Sequence, residues 1–107
     1  MAKTKREIKL ILDRYAAEIV KLGVTPQKVL LYGSYARGDA REDSDIDVII
    51  VSEDFKLLNL RERLELLGLA AGRVFEPIEA LGYTLDEFEA SRKETFLEDT
   101  WKKEIIP

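Results

Sequence analysis

Two short apolar runs, Val29-Leu30-Leu31-Tyr32 and Ile46 through Val51, stand on either side of a polar stretch, residues 33 to 44, that carries two glycines. Each run is too short for a helix, and both are predicted strands. The second is β-branched almost throughout. Its inner part, Val48-Ile49-Ile50-Val51, does not alternate, which is the pattern of a strand covered on both faces. The rest of the chain must supply that cover.

Thr4-Lys5-Arg6-Glu7 has the form of a capping box, and Ile8, Ile11, Leu12, Tyr15, Ile19 and Leu22 follow at helical spacing. A helix to about Leu22 is expected, stopped by Gly23. Asn59 and Glu62 can cap a further helix. Its apolar stripe is predicted to be Leu57, Leu60, Leu64, Leu67 and Ala71, with Gly72 ending it. Val74 to Tyr83 reads as a third strand, and Pro77 places it at a sheet edge or puts a bulge in it, because proline cannot donate to a ladder. Thr84-Leu85-Asp86-Glu87 is another capping box and opens a helix through Phe88. Phe96, Trp101 and Ile105 predict a last helix reaching the carboxyl end. The order is helix, strand, loop, strand, helix, strand, helix: one α/β domain over residues 1–107.

Composition narrows the classes of function. With 107 residues and 46% apolar content the chain has the makings of one modest core, so a homo-oligomer or a partner protein could be part of the stable state. The 17 basic against 21 acidic residues give a net charge of −4, with no histidine. That balance lacks the basic stripe through which counterion release drives nucleic-acid binding, and no direct nucleic-acid contact is expected. No apolar run approaches the ~20 residues a membrane span needs. The charged amino terminus lacks a signal-peptide core, and the absence of cysteine excludes disulfides and thiolate metal sites. A cytoplasmic protein without a membrane role is the expectation.

The chemistry concentrates between Leu31 and Val48. Gly33 lets the backbone turn sharply after the first strand and approach a ligand closely. Ser34 sits where a helix could begin, with outward amides and a hydroxyl suited to phosphate. The chain then returns into a strand that starts with Asp45 and Asp47. Two residues apart on a strand means the same face. Such carboxylates repel, and each raises the other's pKa unless a cation sits between them. Residues 33 to 47 hold five acids, Asp39, Glu42, Asp43, Asp45 and Asp47, against Arg37 and Arg41. A divalent ion would balance that excess. Magnesium is the natural one, since it is held by a few carboxylates together with substrate phosphates. Either Gly-Ser or Asp-x-Asp alone is a common polar turn. Together, ten residues apart and each against an apolar strand, they point to nucleotide–metal chemistry.

On these residues the chain resembles the nucleotidyltransferase superfamily that includes DNA polymerase beta and the aminoglycoside nucleotidyltransferases. Its signature of Gly-Ser, ten residues and Asp-x-Asp is matched by Gly33, Ser34, Asp45 and Asp47 without insertion. Gly-Ser-Tyr-Ala-Arg-Gly and Ser-Asp-Ile-Asp-Val look most like the small prokaryotic branch, the minimal nucleotidyltransferases. The resemblance implies a short mixed β-sheet of three or four strands flanked by helices, and transfer of a nucleoside monophosphate from ATP or another triphosphate. It also implies a third carboxylate a few residues before a Tyr-Thr pair. Tyr83-Thr84 is such a pair, which makes Glu79 the matching residue in place of the usual Asp, with Glu76 as the neighbouring alternative. In this reading Asp45, Asp47 and Glu79 hold Mg2+ and carry catalysis, while Gly33, Ser34 and Arg37 bind the nucleotide. Arg37 has the alternative of a surface ion pair with Asp39 or Asp43. Minimal members partner HEPN-domain toxins and can adenylylate a toxin tyrosine, so an antitoxin role is implied. The rival roles are a binding-only antitoxin and a stand-alone transferase on a small hydroxylated substrate.

Overall fold

The computed structural model describes residues 2–92 and 103–106. Helix α1 (Lys5–Lys21) begins at the expected capping box: the Glu7 amide donates to Thr4 Oγ1 and the Thr4 amide to Glu7 Oε1, at 3.1 and 2.8 Å. Strand β1 (Lys28–Tyr32) runs directly into a short helix α2 (Gly33–Arg37), so the polar stretch after Tyr32 is partly helical. Strand β2 (Ile46–Val51) follows, then a 3-10 turn (Glu53–Leu57) and helix α3 (Leu60–Val74). Strand β3 (Ile78–Tyr83), helix α4 (Leu85–Arg92) and strand β4 (Lys103–Ile106) complete the order. The four strands form one mixed sheet, ordered β3-β2-β1-β4. β1 is antiparallel to both β2 and β4, and β2 is parallel to β3.

β2 is buried on both faces from Val48 to Val51, as the unbroken apolar pattern there demands. Val48 and Ile50 join Val29 and Leu31 under α1 and α3, while Ile49 and Val51 join Leu30 beneath Phe88 of α4. Helices α1 and α3 lock together through the buried Tyr15, whose hydroxyl donates to the Leu67 carbonyl at 2.9 Å.

Four expectations about the later elements need correction. The strand expected from Val74 starts at Ile78, and the helix expected to stop at Gly72 runs on to Val74. Burial of Ala70, Ala71 and Val74 outweighs the roughly 1 kcal/mol that an interior glycine costs a helix. The helix ends where it must, since Pro77 disfavours helical backbone at Glu76. Pro77 lies just outside β3, which is an edge strand among the described residues. The stripe on α3 is also displaced. Leu57, Leu60 and Leu64 are exposed, and the buried face is Arg63, Leu67, Ala70, Ala71 and Val74. Finally, Ile105 belongs to β4, which pairs with the free edge of β1 and does not form a helix. Phe96 and Trp101 lie outside the described residues.

Arg63 joins four elements. Its guanidinium donates to the carbonyls of Phe55, Leu58 and Gly82 at 2.8, 3.1 and 3.3 Å, and to Glu87 Oε1 at 2.6 Å. Glu87 Oε1 also accepts from the Thr84 amide at 2.8 Å, closing the cap of α4. Arg63→Ala strands these acceptors and should cost about 2–4 kcal/mol in a urea melt. Arg63→Lys should recover little, because an ammonium cannot serve a planar set of acceptors. The Arg63 hydrogen bond, helped by the Thr84 amide, holds the Glu87 carboxyl below its ordinary value of 4.5. Glu87 therefore adds stability that is complete above that value and is lost as pH falls through its lowered folded-state pKa. Arg63→Ala should flatten this acid limb, so an unchanged slope would refute the coupling.

Candidate active site

The sheet register decides which side chains meet. Tyr32 of β1 lies opposite Asp47 of β2, and Asp47 lies beside Glu79 of β3. Partners across neighbouring strands point to the same face, so the three residues stand abreast at one end of the sheet. Behind them on that face come Leu30, Ile49 and Leu81. Asp45 lies just before β2, exposed, two residues from Asp47. Glu76 precedes β3 and pairs with Lys3 at 3.7 Å. The structure thus brings Glu79, and not Glu76, alongside Asp47.

Asp47 is crowded. Burial first, then the negative charges of Glu79 and Asp45, push its carboxyl above the ordinary carboxylate range, with Arg37 opposing. Arg37 is exposed at the end of α2, with its Nε 3.3 Å from Asp39 Oδ2. The ion-pair alternative read from the sequence is therefore present, and the guanidinium still reaches Asp47 electrostatically. Among the described residues no three acids converge closely enough to enclose a cation unaided.

Gly33 turns out to serve Asp47 directly. Its φ is +72°, and a methyl group on its Cα would overlap Asp47 Oδ2 and lie 3.1 and 3.2 Å from Cγ and Cβ. The carboxylate rests against the bare glycine. From there α2 begins, and its first-turn amides receive no side-chain cap from Tyr32, whereas Thr4, Asn59 and Thr84 cap α1, α3 and α4. Ser34 sits in that first turn, and its carbonyl accepts from the Gly38 and Asp39 amides at 2.9 and 3.1 Å, folding the following loop back toward β2. Uncapped donors thus stand beside a carboxylate row.

Tyr32 packs against the Leu30–Ile49–Val51–Phe88 cluster. It also borders the acids. Burial, followed by the charges of Asp47 and Glu79, raises its phenol pKa. Strand parity alone could not reveal this, because the row depends on an antiparallel register between segments separated by α2.

A mixed sheet with a Gly-Ser turn opening a short helix beside a carboxylate row is the frame of nucleotidyl transfer. The chain belongs to the nucleotidyltransferase domain family, whose model matches residues 12–106. It is 38% identical over 79 residues to the protein adenylyltransferase MntA of Thermococcus cleftensis, covering 68% of this chain and 78% of that protein. A Methanocaldococcus jannaschii protein, also described as a protein adenylyltransferase, is 38% identical over 65 residues, or 61% of this chain and just under two thirds (64%) of its own length. Among solved structures, a Sulfolobus solfataricus protein described as a nucleotidyltransferase superposes with a TM-score of 0.50 at 26% identity, covering 84% of each chain. Among the described residues no helix is long and apolar enough to cross a membrane.

Proposed function

We propose that this chain transfers AMP from ATP to a hydroxyl of another protein, most simply a tyrosine of a HEPN-domain toxin that it thereby silences. The observation that carries this reading is the Asp47–Glu79 row lying against Gly33, beside the uncapped amides of α2. Relatives described as protein adenylyltransferases support the class of acceptor. So does the charge of −4, which disfavours a nucleic-acid acceptor.

Asp45, Asp47 and Glu79 are the residues that would hold magnesium, and their crowded, oxygen-only character fits that ion. When bound, it supplies neutralisation of charge on the triphosphate and on the attacking oxygen. The chain's own residues do the rest. Gly33 and Ser34 present amides to the phosphates, and Arg37 can leave its exposed pairing with Asp39 for a phosphate oxygen. The acceptor oxygen bonds to the α-phosphorus as the α–β bridging bond breaks and pyrophosphate leaves in line. Glu79 draws the hydroxyl proton.

Incubating a HEPN partner with this protein, ATP and magnesium should add an AMP-sized mass to the partner, and Asp45→Ala should remove the increment. Inhibition of the partner with no mass change, and equally by Asp45→Ala, would establish a binding-only role. That second reading has one observation in its favour: glutamate at position 79 carries a methylene more than the usual aspartate, and small misplacements of a reacting group are costly.

Magnesium with ATP should raise the melting midpoint more than either alone, because each completes the other's site. Ser34→Ala should reduce that shift. An undiminished shift in the variant would remove Ser34 from the phosphate cradle.

A further inference from the structure

The row that carries Asp47 has an acid on one flank and a phenol on the other. Asp47 stands between Glu79 of β3 and Tyr32 of β1, and all three side chains rise from one face of the sheet. Neighbouring strands are about 4.8 Å apart, so the row spans about 10 Å with Asp47 at its centre. A phenol is longer than a carboxylate, and its hydroxyl can stand beside a group that the acids hold above them.

The surroundings of Tyr32 leave that hydroxyl available. Its ring is half-buried and packs against the Leu30–Ile49–Val51–Phe88 cluster, which fixes it on the face. The hydroxyls of Tyr15 and Tyr35 hydrogen-bond within the fold, to the Leu67 carbonyl and from the Lys3 amide. That of Tyr32 has no hydrogen-bond partner among the described residues. Beyond its burial, the phenol feels the charges of Asp47 and Glu79, so its oxygen lies within range of both. Packing alone would be served as well by phenylalanine.

In-line displacement gives the two flanks different tasks, because the attacking and leaving oxygens lie on opposite sides of the α-phosphorus. With the phosphorus over Asp47 and Glu79 drawing the acceptor proton, the attacking oxygen is on the β3 side. The α–β bridging oxygen is then on the β1 side, where Tyr32 stands and the chain continues into Gly33 and Ser34. That oxygen gains negative charge as its bond to phosphorus breaks. A hydroxyl aimed at it stabilises the charge as it forms.

We infer that the Tyr32 hydroxyl donates a hydrogen bond to the α–β bridging oxygen as that bond breaks. The acceptor oxygen bonds to the phosphorus and its proton passes to Glu79. The electron pair of the broken bond stays on pyrophosphate, and Tyr32 keeps its proton. This rests on the nucleotidyl-transfer reading proposed above.

Tyr32→Phe removes the hydroxyl and keeps the ring. The melting midpoint of the free chain should stay within about 1 °C of wild type, since no hydrogen bond of the fold is lost. The shift given by magnesium with ATP should be kept as well, because the new bond strengthens only as charge develops. With a HEPN partner as acceptor, the single-turnover rate of AMP transfer should fall about tenfold or more. The loss should depend on the leaving group. It should be larger with β,γ-methylene-ATP, whose departing diphosphonate is more basic than pyrophosphate, and smaller with the less basic β,γ-difluoromethylene analogue. Tyr83→Phe is the control: Tyr83 shares the face but lies four residues beyond Glu79, about 13 Å along β3, and the variant should keep the wild-type dependence. An equal loss with all three nucleotides would mean that Tyr32 only shapes the site, and would overturn the inference. An unchanged rate in Tyr32→Phe would overturn it while leaving the transfer reading in place. Wild type that transfers AMP from none of the three removes the transfer reading, and the inference with it.

Discussion

Asp47→Asn should abolish nucleotidyl transfer, by at least about a hundredfold, while leaving the sheet intact. Asparagine is nearly isosteric, so Gly33, Tyr32 and Glu79 keep their neighbour's shape and lose only its charge. The same change should raise the metal-free melting midpoint slightly, by about 1–2 °C at neutral pH. The sign follows from the titration. Burial, Glu79 and Asp45 raise the Asp47 carboxyl in the folded state above its ordinary 3.8. Its contribution to stability is thus complete below that value and lost as pH rises through the folded-state pKa. At neutral pH the ionised group is a burden that asparagine does not carry, so the advantage of the variant should vanish in acid. Calorimetry in a chelator, at neutral pH and near pH 3.5, measures both limbs. Full transfer by the variant would remove Asp47 from catalysis, and a lower neutral midpoint would contradict the crowding.

Gly33→Ala should be the more damaging change overall. The new methyl meets the Asp47 carboxylate head-on and forces a left-handed residue to carry a side chain. The backbone penalty alone is about 1–2 kcal/mol. Displacing Asp47 by the order of an ångström should cost a further factor of about a hundred in rate. Gly38→Ala separates the two effects. Gly38 has φ +87° and open space around its Cα, so alanine there incurs the backbone penalty without touching an acid. Gly38→Ala should be destabilised and retain most of its transfer activity, whereas Gly33→Ala should lose both. Equal activities would mean that the bare Cα of Gly33 does not position Asp47.

What could be read in advance was local. The capping residues Thr4, Asn59 and Thr84 announce their helices, because the cap and its reciprocal acid lie three residues apart in the chain. The bounds of β2 follow from an apolar run, Ile46 through Val51, that is β-branched except at Asp47. The burial of Arg63 was out of reach. It depends on carbonyls delivered by the 3-10 turn and the end of β3, and a charged residue on a helix is ordinarily placed outside. The stripe on α3 failed for a related reason: periodicity finds an apolar face, but only the neighbours decide how far along that face there is anything to cover it. The candidate site divides in the same way. Strand parity put Asp45 and Asp47 on one face, but β2 begins at Ile46, so of the two only Asp47 stands in the strand. The place of Glu79 beside them came from resemblance, since a parallel pairing across α3 leaves no local trace.

The parallel pairing of β2 with β3 also bears on how the chain avoids folding wrongly. Sliding β3 by one residue would set Ile78 or Ala80 beside Asp47 and turn Glu79 toward the buried side, among Val48, Ile50 and the helices. An uncompensated carboxylate there would be expensive. The same slip would expose Ile78 or Ala80 to water on the outer face. Misaligned sheets are thus penalised twice, by a charge in the oil and by oil in the water. The acid that serves the chemistry also proofreads the alignment of the strand that bears it.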